Sequence, residues 1–254
     1  MRIVTFASGS TGNCSLISDG GVNILLDAGI SARRIEKSLE ACGVSPHDLC
    51  GVLITHEHSD HISGLPLIVK RYGLPVYAPS LLCSALRRAA PDIEGSLRYI
   101  PVGESFSVGD ISVRAFRTPH DAAFSVGYRF EGSAVLAFAT DTGCVTDDMI
   151  DGLTGADIAL IESNHDPDML RCGPYPYPLK RRILSEYGHL SNIDCAKLAL
   201  HLAKSGTKHI ILGHLSRENN RPERALGTVE AELAGFDAKV YVAPMAQLLS
   251  VGEL

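Results

Sequence analysis

The chain reads as a single layered α/β domain over residues 1–254. Three features carry that reading. Strand-like and helix-like segments alternate in the first and last thirds. The middle is rich in β-prone runs joined by tight turns. No clear linker, internal repeat or low-complexity segment divides the whole. With 254 residues, 45% of them hydrophobic, such a chain buries roughly three quarters of its unfolded surface. It needs no disulfide or structural metal to fold, so a metal here is expected to be catalytic.

Residues 3–7, 15–18 and 22–26 are short β-prone runs, separated by the turn-rich SGSTGN and SDGG. Ser31 is placed to cap a helix through about Cys42, which Gly43 ends. Residues 51–54 form an apolar run leading into THEHSDH, after which 62–72 reads as a helix despite Pro66. A Gly73-Leu74-Pro75 turn, a strand at 76–78 and a helix over 79–89 follow. Strands at 97–100, 105–108, 111–117, 125–130 and 134–140 make up the middle, with turns at Val108-Gly109-Asp110 and Glu131-Gly132-Ser133. The last third alternates again, with strands at 158–162, 209–212 and 239–242 and helices at 146–153, 191–204 and 221–233. The Pro-rich CGPYPYPLK (172–180) reads as a loop too short to be a domain linker.

Net charge is −6 with a pI near 5.9, which argues against broad affinity for nucleic acid or anionic membrane but leaves room for a local basic patch or a metal-centred phosphate site. Seven scattered cysteines without a CxxC pair point to reduced thiols and a cytoplasmic location. No signal peptide is apparent, and no apolar run approaches the ~18 residues of a membrane span.

The chemistry concentrates at Thr55-His56-Glu57-His58-Ser59-Asp60-His61. In an extended segment His56 and His58 share a face, whereas Asp60 and His61 fall where the chain turns. One short segment can therefore present ligands to two neighbouring ions. Imidazole and carboxylate suit Zn²⁺, and also Mn²⁺ or Fe²⁺. Two ions need further ligands, and three residues follow predicted strands where chemistry gathers in layered folds: His120 in RTPHD, Asp141 in FATDTG and His214 in ILGHLS.

HxHxDH at 56–61 followed in order by His120, Asp141 and His214 resembles the metallo-β-lactamase superfamily. The resemblance implies a four-layer αβ/βα sandwich with its site at one edge of two facing sheets. It implies that His56, His58 and His120 hold one metal and Asp60, His61 and His214 the other, with Asp141 bridging. Two such ions can share a hydroxide and clamp the oxygens of an in-line displacement. That chemistry serves lactams, thioesters and phosphodiesters alike, so residues around the centre must select the substrate.

His189 in GHLSNIDCAKLAL lies before a helix that Ser191 or Asn192 can cap. It is similar to the histidine motif of the tRNA 3′-processing endonucleases of the superfamily and is expected to give a proton to the leaving oxygen. Glu162, Asn164 and His165 in IESNHD follow a predicted strand, with Glu162 placed to orient His189 or a ligand histidine. FASGSTGNC, ESNHD, GHLSN and GHLSRENN together resemble the YycJ/WalJ group of bacterial metallo-hydrolases. That likeness implies a double-stranded DNA 5′→3′ exonuclease. The interval from Asp141 to His214 is too short for the extra domain of the β-CASP branch, and no insertion resembles a tRNA-gripping arm.

The expectation is thus a dinuclear phosphodiester hydrolase with Zn²⁺ or Mn²⁺, or Fe²⁺, acting on DNA, with Asp60 and His189 in the catalytic set. Ser10 and Asn13 of the SGSTGN turn, Asn164, His165 and Arg217 are expected at the substrate, with Lys180-Arg181-Arg182 as a further basic run for a DNA backbone. Two other readings stay open: a small-molecule phosphodiesterase or thioesterase, and a metal-bound signalling adaptor.

Overall fold

Strands apolar on both faces build the centre of the molecule, described over residues 1–253 by a computed structural model. The elements are β1 (Arg2–Ala7), β2 (Cys14–Asp19), β3 (Val22–Leu26), α1 (Ala32–Ala41), β4 (Leu49–Leu53), α2 (Ser59–Ile62), α3 (Leu65–Tyr72), β5 (Val76–Pro79), α4 (Ser80–Ala89), β6 (Leu97–Ile100), β7 (Ser105–Val108), β8 (Ile111–Arg117), β9 (Val126–Glu131), β10 (Val135–Ala139), α5 (Asp147–Leu153), β11 (Ile158–Glu162), α6 (Pro167–Cys172), α7 (Tyr177–Ile183), α8 (Asn192–Lys204), β12 (His209–Gly213), α9 (Pro222–Glu232), β13 (Lys239–Val242) and β14 (Leu249–Gly252).

They form two seven-stranded mixed sheets, ordered β14-β1-β2-β3-β4-β5-β6 and β13-β12-β11-β10-β9-β8-β7. Alternation along each strand makes the layers. In β3, Ile24 and Leu26 point between the sheets while Leu25 points to the outer helices; in β10, Leu136 and Phe138 face inward and Ala137 and Ala139 outward. The inner core joins both sheets, one outer core holds α1, α3 and α4, and the other holds α5, α8 and α9. The result is a four-layer αβ/βα sandwich. Each fully buried aliphatic side chain contributes about 1.5–3 kcal/mol to it.

Read from β14 and from β7, the two sheets have the same sequence of pairings: three antiparallel, then three parallel. The fold therefore contains a structural repeat that the sequence reading missed. It puts β3 and β10 in equivalent places, and each ends in Asp-x-Gly, Asp27-Ala28-Gly29 and Asp141-Thr142-Gly143. Neither glycine has room for a side chain: a Cβ on Gly29 would lie 1.6 Å from the Asp60 carbonyl, and one on Gly143 2.3 Å from the Glu186 carbonyl carbon.

Two further expectations are corrected, and two elements are added. The helix over 62–72 is two pieces, α2 and α3, because the chain turns at Ser59 and Gly64 donates to the Ala28 carbonyl, 2.8 Å; Pro66 then sits in the first turn of α3, where it lacks no needed N–H. The stretch 172–180 is not a loop throughout: α7 starts inside it at Tyr177, with Pro178 in its first turn. α6, capped by Asp166, and the edge strand β14 were not foreseen. No helix among the described residues is long and apolar enough to cross a membrane.

Candidate metal centre

The site lies where β3, β4, β10, β11 and β12 end, and backbone bonds between their loops hold it. Ala28 N donates to the His61 carbonyl and Asn13 N to the Asp60 carbonyl, both 2.8 Å. The two sheets meet beneath it: buried Tyr128 of β9 donates to the Ile54 carbonyl at 2.6 Å, just before His56. Glu57, inside the cluster, accepts from Ala123 N at 2.7 Å and so ties the His120 loop to the 56–61 segment. Among the described residues, the non-glycine residues with positive φ are Asp27 (58°), Asp141 (55°) and His214 (55°). Each such residue costs about 1–3 kcal/mol unless its surroundings hold it, and all three sit at strand ends in or against the site.

The structure brings His56, His58 and His120 together, and likewise Asp60, His61 and His214; within each group one ligand atom per residue lies within 4.8 Å of the others. Asp141 lies between them, its Oδ2 3.3 Å from His61 Nε2 and its Oδ1 3.4 Å from His214 Nδ1 and 3.8 Å from His120 Nε2. Four of the five histidines have Nδ1 engaged by the chain: His56 with Thr55 Oγ1 (3.1 Å), His61 with Asp27 (2.7 Å), His120 with the Gly188 carbonyl (3.2 Å) and His214 with Glu162 (2.9 Å). That turns each Nε2 to the centre and fixes the ring, with His61 Nε2 also within reach of Asn13 Nδ2 at 2.9 Å. The buried atoms His56 Nε2, His214 Nε2 and Asp141 Oδ2 have no hydrogen-bond partner. Orphaned buried acceptors beside a carboxylate suit a cation, so the residues fit divalent metal ions.

The charges agree. Burial raises the pKa of Asp141, but His214 and His61 outweigh it and hold the carboxyl well below its usual range. Burial opposes a charge on His61, yet Asp27 and Asp141 bring its pKa up to about 10. The carboxylates therefore favour a proton on His61 and His214 against the pull of burial, whereas burial prevails at His56 and His120 and lowers their pKa; ligand and proton compete for the same nitrogens.

Glu162 does two jobs from one buried oxygen. Its Oε1 lies 2.8 Å from His189 Nδ1 and 2.9 Å from His214 Nδ1, and its Oε2 accepts from Thr142 N at 2.8 Å. Ser191, not Asn192, caps α8 and so sets the His189 loop. His189 is one-fifth exposed and stands 3.8 Å from Asp141.

The expected substrate residues divide. Ser10 is exposed on its turn and Arg217 is exposed beyond His214. Asn13 does not face a substrate: it is buried, exchanges hydrogen bonds with Gly9, and its Nδ2 lies 2.9 Å from His61 Nε2 and 3.3 Å from Asp60 Oδ2. Asn164 is likewise turned inward, donating to the His214 carbonyl at 2.9 Å. Short polar side chains after strands are consumed by the loops they brace. Arg182 is paired with Asp121 beside His120, and Lys180 donates to the Arg171 carbonyl, so the basic run is partly committed to holding α7.

Asp27 and Thr55 were missed. The buried Asp27 carboxylate accepts from Thr55 N and Oγ1, both 2.9 Å, and from His61. The signal was present: LLDAG and FATDTG are the same strand-Asp-x-Gly pattern. Asp27→Asn is expected to weaken metal binding about 10–100-fold, read by chelator competition, with the far-ultraviolet spectrum of the metal-free protein retained. Unaltered affinity would mean that Asp27 serves the backbone alone.

A β-lactamase superfamily domain model matches residues 22–215. The chain is 42% identical over 235 residues to exodeoxyribonuclease YycJ of Bacillus anthracis, covering 92% of this chain and 89% of that protein. It is 40% identical over 245 residues to exodeoxyribonuclease WalJ of Streptococcus pneumoniae serotype 2 (strain D39), covering 92% and 91%. Among solved structures it is similar to the metallo-β-lactamase fold protein YhfI of Bacillus subtilis, with a TM-score of 0.75 at 17% identity over 98% of this chain and 99% of that one. The chain is a metallo-β-lactamase superfamily hydrolase and belongs to the family that contains YycJ and WalJ.

Proposed function

We propose that the protein is a dinuclear metal nuclease that shortens double-stranded DNA in the 5′→3′ direction. The observation that supports this most is the contact between the ligand cluster and the Glu162–His189 pair, which sets a proton-bearing group beside a place for two cations. In this reading His56, His58 and His120 hold one ion, Asp60, His61 and His214 the other, and Asp141 serves both. Bound there, two divalent ions, Zn²⁺ or Mn²⁺ or Fe²⁺, lower the pKa of water and neutralise phosphoryl charge.

The remaining tasks fall to side chains. Glu162 holds His189 by Nδ1, so that Nε2 is left for the substrate. Burial disfavours a charged imidazole here, but the Glu162 carboxylate prevails and raises the pKa of His189. His189 thus keeps a proton to give to the leaving 3′-oxygen. Asp60 is a quarter exposed at the mouth of the centre, 3.6 Å from His214 Nε2, where it can steer the attacking water as well as serve as a ligand. Ser10 and exposed Arg217 are the groups assigned to the DNA backbone; Arg217 offers a planar fork to a phosphate. Relatives aligned over 92% of this chain are named exodeoxyribonucleases, whereas hydroxyacylglutathione hydrolases, which are thioesterases, align over 41% of it or less, so the thioesterase and adaptor readings are not favoured. The DNA-substrate reading supports a cytoplasmic location.

The test is turnover of duplexes labelled at either end, with and without a 5′-phosphate, in chelator and after adding Mn²⁺ or Zn²⁺. Metal-dependent release of label from the 5′ end first is expected. Hydrolysis of bis(p-nitrophenyl) phosphate without cleavage of any DNA would overturn the nuclease reading while leaving the hydrolase in place.

A further inference from the structure

Beyond His189, away from the ligand cluster, a cavity of about 390 Å³ opens between α6, α7 and the start of α8. Its volume falls in the range of small-ligand clefts. His165 lines it. That side chain is 1% exposed, and neither ring nitrogen has a hydrogen-bond partner. No other buried ring in the chain leaves both nitrogens unused among the described residues. Leaving a buried polar group unmade is costly, and here the residue lies three positions past Glu162 in the wall of the cavity.

The walls suit a nucleoside. Leu184 and Ile193 line the cavity, 48% and 49% exposed, and give it two aliphatic surfaces. Its carboxylates each have a cation already: Asp166 with Arg224 (3.0 Å), Asp194 with Lys197 (2.8 Å) and Asp168 with Arg171 (3.7 Å). The cavity is therefore polar without being repulsive to a strand end, and it holds no free cation buried in wait for a phosphate. His189 is the shared wall between this space and the metal centre.

We infer that this cavity receives the terminal nucleoside of the strand being cut, the one whose 3′-oxygen leaves, with His165 hydrogen-bonding its polar edge. The inference rests on the nuclease reading and extends it: mononucleotides are then the expected product. It also makes the 5′-phosphate dispensable, since the groups that meet this unit are neutral or already paired.

Two variants test it. His165→Phe keeps the ring and removes both nitrogens; Ile193→Trp fills the mouth from an exposed position and does not depend on core packing. Both are expected to raise KM for DNA ends about tenfold, the loss of one or two hydrogen bonds or of access, with a smaller change in kcat. Thymidine 5′-monophosphate is expected to inhibit wild-type hydrolysis of bis(p-nitrophenyl) phosphate, and about tenfold less well in either variant. The ratio of kcat/KM for DNA to that for the nitrophenyl diester should fall by the same factor. A fall in kcat alone, equal on both substrates, would show that His165 only supports Glu162. Wild-type inhibition by the mononucleotide that Ile193→Trp leaves untouched would put the nucleoside elsewhere. Absence of DNA cleavage by the wild type, with the mononucleotide still binding in this cavity, would overturn the nuclease reading and not the subsite; absence of mononucleotide binding overturns the subsite.

Discussion

Asp141→Asn is expected to reduce DNA hydrolysis by more than the roughly 10²–10³ that a single lost charge-stabilising donor costs, and to lower bound metal below that of the wild type. The reasoning is geometric. Asp141 is 2% exposed, lies within 4 Å of His61, His120, His189 and His214, and has a buried oxygen that no group in the chain satisfies. Asparagine is the variant to use, because it fits the same volume and tolerates φ near 55° better than other side chains. It removes a buried charge that faces four histidines at once, while Asp27, Asp60 and Glu162 keep theirs. Removing one partner of such a buried cluster costs about 3–5 kcal/mol, so the metal-free variant should also melt earlier. Metal analysis of the purified protein, paired with turnover, checks both halves. Full metal content with activity lost would restrict Asp141 to chemistry; full activity would remove it from the centre.

The sheets were largely legible because their central strands, such as β3, β4, β10 and β11, are short runs of apolar residues, and turn residues such as Gly20, Gly109 and Gly132 mark the hairpins. Residues 22–26 and 239–242 were read with the bounds that β3 and β13 show. Helices failed where short local signals carried them. α2 has four residues, α6 six, and neither spans enough turns to show a periodic face. β14 was invisible because its pairing with β1 joins opposite ends of the chain. In the site, residues that had been placed by spacing and by likeness to a family lie together in space, since HxHxDH is local and its partners each follow a strand. What spacing did not reveal was direction. Asn13 and Asn164 look like Ser10 and Arg217 in sequence, as polar residues in loops at strand ends. Only the folded loops show that two of the four spend their hydrogen bonds on the backbone around His61 and His214. Asp27 escaped for the opposite reason. It is a single carboxylate after an ordinary strand, and its meaning lies in a repeat that relates it to Asp141, visible once β3 and β10 are seen to hold equivalent places in their sheets.

The second large effect is expected at His189. Removing a general acid typically costs about 10²–10⁴ in rate, and His189→Ala should lose that much in kcat on DNA while keeping its metal. A leaving group that needs no proton isolates the cause. The p-nitrophenolate of bis(p-nitrophenyl) phosphate departs as an anion near neutral pH, so the variant's loss on that substrate should be far smaller than on DNA. The pH profile gives a second, independent reading. An acid must carry its proton, and burial alone would strip it; Glu162, 2.8 Å away, raises the pKa instead. Activity due to His189 is then present at low pH and declines as pH rises through that raised value. Glu162→Gln takes away the supporting charge, so this alkaline decline should begin at lower pH, and in His189→Ala it should vanish. Equal losses on DNA and on the nitrophenyl diester, with the alkaline decline unmoved in both variants, would assign the proton to another group and leave His189 as a wall between the metal centre and the cavity behind it.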